Sequence, residues 1–137
     1  MGLAERRAAK EFETKRFPQF KKDIDEAAGF DVPVTVAWET LALDGESHLY
    51  DECWPKVYFV PLIAALKAIT IDDMGKEALK ASLKKIEIQN RADTSNASRF
   101  AASFEGGTLL LDNKPHTNVD DVKDRTQSIQ SLLESKL

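Results

Sequence analysis

Arg99-Phe100-Ala101-Ala102-Ser103-Phe104-Glu105-Gly106-Gly107-Thr108-Leu109-Leu110-Leu111-Asp112 is the stretch whose reading decides the fold. Phe100, Ala102 and Phe104 fall on one side of a period of two, with Arg99, Ala101 and Ser103 on the other, which is the pattern of a half-buried strand. Gly106-Gly107 then reads as a hairpin turn, with Thr108 to Asp112 returning as the partner strand. A phosphate-binding glycine loop leads from a strand into a helix, whereas these glycines separate two strands.

Working upstream, Ile86 and Ile88 alternate with Glu87 and Gln89, and residues 90–96 form a polar connection. The last three strands are expected to form an antiparallel meander. Val32-Pro33-Val34-Thr35-Val36-Ala37-Trp38 supplies a fourth strand, with Val32, Val34, Val36 and Trp38 on one face. Pro33 has no N–H to give a ladder, so the start of that strand is expected at an edge or outside the pairing.

The remainder is helical. Residues 3–28 place Phe12, Phe20, Ile24 and Ala28 near one stripe, with Phe17 at its edge. Pro18 is expected either to kink this helix or to open a second segment, and Gly29 to end it. From Pro55 to Ile69, Phe59, Leu62, Ile63, Leu66 and Ile69 keep helical spacing, although Val57–Val60 read alone fits a short strand equally well. Asp72 is expected to cap a helix with Met74, Ala78, Leu79 and Leu83 on its inner face. The last helix is expected to begin at Thr117 or Asn118, with Asn118 and Asp121 in a capping arrangement. Its inner face is Val119, Val122, Thr126, Ile129 and Leu133.

The fold class that follows is α+β: a small, mostly antiparallel sheet of about four strands packed with about four helices, in the order α-β-α-α-β-β-β-α. At 137 residues the chain is expected to form a single globular domain spanning 1–137. No disulfide or metal is needed to hold such a core.

Charge and composition narrow the functional classes. The formal net charge is −4 and the pI about 5.2, a poor match to nucleic acid or to anionic membrane surfaces. The helix 3–28 carries Arg6, Arg7 and Lys10, but acids interleaved along it leave the segment nearly neutral. Cys53 is the single cysteine, and a cytoplasmic protein is expected. The N-terminus lacks the apolar core of a signal peptide. The most apolar run, 57–71, is interrupted by Pro61 and Lys67 and is too short for a membrane span.

Residues 39–54 have no clean period and are expected to form a long connection with at most a helical turn. Long connections in small domains are often functional, and this one is flanked by aromatic residues. Trp38, Asp44, Glu46, His48, Tyr50 and Trp54 are therefore the candidate binding residues. Asp44, Glu46 and His48 at i, i+2, i+4 would share a face if extended, but alternate residues on a strand stand nearly 7 Å apart, too far for metal bonds without strong convergence. A solvated acidic turn is the plainer reading, and no metal or cofactor is expected. Cys53 follows Asp51 and Glu52, whose charges hold a thiol in its unreactive form. His116 precedes a helix start already occupied by Asp120 and Asp121.

Walker, dinucleotide-binding, zinc-finger, nucleophile-elbow and kinase signatures are absent. The sequence therefore favours a non-catalytic binding or protein-interaction module, with a protein partner or self-association. The alternative is a small enzyme with an acid–base or metal-assisted site near residues 44–54.

Overall fold

The computed structural model describes residues 2–92 and 102–137. The chain opens with α1 (Leu3–Glu11), a π-helical turn (Phe12–Arg16) and α2 (Phe17–Ala28). Then come β1 (Val34–Val36), α3 (Trp38–Leu41), a 3₁₀ turn (Ser47–Leu49) and α4 (Tyr50–Trp54). A second π turn (Pro55–Phe59) leads into α5 (Val60–Ile69) and then α6 (Asp73–Ser82). The rest is β2 (Lys85–Gln89), β3 (Ala102–Glu105), β4 (Thr108–Asp112) and α7 (Val122–Lys136). The fold is α+β, as its sequence patterns indicate. Phe100 and most of the 90–96 connection lie outside the described residues.

The sheet is mixed, with strand order β1-β2-β4-β3. β1 with β2 and β2 with β4 are parallel, and only β3 with β4 is antiparallel. The expected meander is thus corrected: β4 lies between β2 and β3. The strand qualities explain the order. Leu109-Leu110-Leu111 is a continuous apolar run, which suits an inner strand flanked on both sides, whereas β3, with Ala102 and Ser103, has less to bury and takes an edge. The chain between β2 and β3 is long enough to reach the far side of the sheet.

Register places one apolar face toward the helices. Val34 pairs with Ile86 and Val36 with Ile88, Ile86 with Leu109 and Ile88 with Leu111, and Phe104 with Leu109. Ile86, Ile88, Leu109 and Leu111 are buried in the common core with Leu62, Leu66, Ile129 and Leu133. β1 begins after Pro33, whose carbonyl accepts from Ile86 N at 2.9 Å. Gly106 and Gly107 have φ of 58° and 85°, the two left-handed positions that a tight hairpin turn requires.

Both long helical runs accommodate an internal proline in the same way. Phe17 N bonds to Phe12 O, and Val60 N to Pro55 O, one residue further back than in an α-helix. Pro18 and Pro61 follow immediately. A proline ring collides with the carbonyl four residues earlier, and the widened π turn accommodates it. Val57–Val60 is therefore helical. Pro55 leaves Asp51 O without its helical donor, and Arg16 Nη1 donates to it at 3.3 Å from α1–α2.

Two expected boundaries and one expected buried face change. Trp38 opens α3 instead of closing a strand, and most of 39–54 is helical, leaving 42–46 as the irregular part. α7 starts at Val122, not at Thr117 or Asn118. Asn118 has φ of 51°, which breaks the helical path, and the carbonyls of Thr117 and Asn118 accept from the buried guanidinium of Arg125. The third is α6: Asp72 caps it, accepting from Gly75 N at 2.8 Å, and Leu79 and Leu83 point inward, but Met74 is 80% exposed.

Candidate functional site

The aromatic residues of the 38–54 segment form a packed stack. Tyr50 lies 4.3 Å from Trp54, nearly parallel. Trp54 is 5.6 Å from Trp38 and 5.1 Å from Phe12. Tyr50 and Trp54 are buried and Trp38 is half-buried, so these rings tie the segment to the π turn of the first helical run. The Tyr50 hydroxyl donates to Leu43 O at 2.9 Å, which holds the irregular 42–46 segment down on α4.

Asp44 and His48 are exposed and Glu46 is half-buried. Gly45, at φ of 77°, turns the chain, so the extended i, i+2, i+4 face does not exist. Gly45 N instead donates to Glu5 Oε1 at 3.2 Å. Burial first, and then the charges of Glu5, Asp44 and Glu46, push the Tyr50 hydroxyl up to about 12. Those three carboxylates therefore all oppose ionisation of the buried Tyr50 hydroxyl. No group of three or more His, Cys, Asp or Glu among the described residues is placed to hold a metal ion.

Glu46 reaches a residue 70 positions away: its Oε2 lies 2.6 Å from Nδ1 of His116. A carboxylate only accepts, so the imidazole N–H donates and fixes the ring's orientation. The ring also stacks on Tyr50 at 5.7 Å, and its Nε2 is enclosed without a hydrogen-bond partner. No sequence signal joins these positions. Cys53 is buried; desolvation first and then Glu52 push its thiol up, with Lys56 opposing, so the expected direction holds with burial, and not the neighbouring acids, as its main cause.

The structure adds a surface that the sequence reading missed. Ile71 is 83% exposed and Met74 80% exposed. With Leu137 they line a groove of about 360 Å³ between α6 and the end of α7, lined also by Ala68, Ile69 and Ala78. Its charged lining residues are Asp72 and Glu134. One signal for it was legible: Leu79 and Leu83 are four apart and share a face, whereas Met74, five before Leu79, falls well off that stripe.

No helix among the described residues is long and apolar enough to cross a membrane. Comparison with protein-family models, with curated proteins and with solved structures finds no match to this chain.

Proposed function

We propose that this protein is a non-catalytic interaction module that docks another protein. The observation that carries this reading is the pair Ile71 and Met74, two large apolar side chains held side by side in water at the lip of a groove. Apolar groups left exposed together, with polar groups around them, mark binding surfaces in folded proteins. The 38–54 segment is the second contact surface in this reading. Asp44, Glu46 and His48 supply its polar edge, Trp38 its half-buried face, and Tyr50 and Trp54 the rigid backing. The single buried Cys53 fits a cytoplasmic setting.

The test is a photo-crosslinking residue placed at position 74 or at position 48 in the native cells. A discrete protein adduct at 74 that disappears with Ile71→Asp supports the reading as stated. An adduct at 48 alone moves the docking face to the 38–54 segment, and no adduct at either position counts against an interaction module.

One observation favours the alternative of an acid–base enzyme: Nδ1 of His116 is held by Glu46 while Nε2 has no partner. Orientation of one ring nitrogen by a carboxylate is how a general base is prepared. That reading requires a substrate to reach Nε2. Ester or amide hydrolysis that is unchanged in His116→Gln would remove it.

A further inference from the structure

We propose that the groove between α6 and α7 receives an amphipathic helix of a partner protein, apolar stripe inward and Lys or Arg along its edges. This rests on the interaction-module reading and adds the chemistry of the partner.

The groove lies between two helices and presents no strand edge, so a helix laid into it is the recognition mode its shape fits. Small residues in its lining, Ala68, Gly75 and Ala78, leave room for a backbone to approach, beside the apolar Ile71, Met74 and Leu137. Methionine adapts to varied apolar partners because its side chain is unbranched and polarizable.

Charge selects the partner. The two charged lining residues, Asp72 and Glu134, are both acidic. Among the described residues no salt bridge reaches either of them. Lys76, Glu77 and Lys80 of α6 line a separate groove on its other side, with Ala28, Gly29 and Phe30. A second copy docking through the same face would bring acid against acid, which is unfavourable. A helix with basic edges meets both the apolar lining and its two acids.

The test uses the full chain and a fluorescein-labelled synthetic peptide of about 14 residues, with Leu at i, i+3, i+4 and i+7 and Lys elsewhere. A scrambled peptide of the same composition and a Leu/Glu analogue serve as controls. Saturable binding of the Leu/Lys helix that weakens with salt, at least about tenfold tighter than either control, is expected. Met74→Asp and Ile71→Asp should each weaken it about tenfold or more, and Glu134→Lys about threefold to tenfold with a gain for the Leu/Glu analogue. Because all three side chains are exposed, the thermal midpoints of these variants should match the parent.

No binding, equal binding of all three peptides, or binding indifferent to Met74→Asp would overturn the proposal. A Met74-dependent dimer in sedimentation would overturn it too, by assigning the groove to a second copy. If crosslinks at position 74 persist while the basic peptide fails, the basic helix falls and the interaction module stands.

Discussion

Gly75 sits in the first turn of α6, where that helix passes the carbonyl ending α5. A Cβ added there would lie 1.7 Å from Ile69 O, a backbone atom that cannot swing aside. Helix propensity alone favours Gly→Ala by about 1 kcal/mol, whereas forcing an extra carbon into a closed contact costs about 1–3 kcal/mol. The contact should win, so Gly75→Ala is expected to lower stability by on the order of 1–2 kcal/mol in urea denaturation. An unchanged or raised midpoint would show that α6 moves freely on α5. The sequence showed a glycine inside a helical pattern but not the reason for it, because the atom that excludes a side chain belongs to the preceding helix.

At the scale of elements, one side chain supplies polar contacts to the joint between the first helical run and α4, beside the packed rings of Phe12 and Trp54. Arg16 donates to Asp51 O at 3.3 Å and to Asp51 Oδ1 at 3.2 Å, and its guanidinium lies over the rings of Phe12 and Phe20. The carbonyl it satisfies is the one Pro55 leaves without an N–H. Arg16→Ala should cost about 1–2 kcal/mol. Restoring the N–H with Pro55→Ala should shrink that cost by about 0.5–1.5 kcal/mol in a double-mutant cycle. Strict additivity would mean that Arg16 acts only through its rings and the exposed carboxylate. Element types were largely legible: Val34 and Val36, Ile86 and Ile88, the Gly106-Gly107 turn, Gly29 as a left-handed helix end and Asp72 as a cap all follow local rules. Met74 departs from the inner face of α6 expected for it, and its spacing to Leu79 and Leu83 accounts for its exposure. The 39–54 stretch looked irregular because its short helices bury aromatic residues against the first helical run instead of forming one amphipathic stripe.

At the scale of the whole molecule, alkaline unfolding reads out the core. The chain has two tyrosines, both buried. Tyr50 is pushed up to about 12 by burial and by Glu5, Asp44 and Glu46. Burial first, and then Asp112, push Tyr58 well above the usual range, against an opposing effect from Arg125. A tyrosine raised in the folded state stabilises fully below its unfolded value near 10, and this contribution is lost as pH rises through the folded value. For Tyr50 that window runs from about 10 to about 12, and the loss is on the order of 2–3 kcal/mol. Phenolate absorbance should therefore stay low past pH 10 and then rise together with loss of the folded circular dichroism signal. Phenolate appearing near pH 10 with the fold intact would mean that one ring is open to solvent.

The same scale separates what the sequence determined from what the tertiary structure decided. The strands, the long helices and most of their buried faces, the glycine turns and the charge balance came from the sequence, because each depends on residues a few positions apart and on backbone sterics. The order β1-β2-β4-β3, the burial of Tyr50 and Trp54, the union of Glu46 with His116 and the exposure of Ile71 and Met74 came from tertiary packing. These features depend on which distant surfaces close against one another. The free energy of that choice is shared across the whole core, and no local pattern records it.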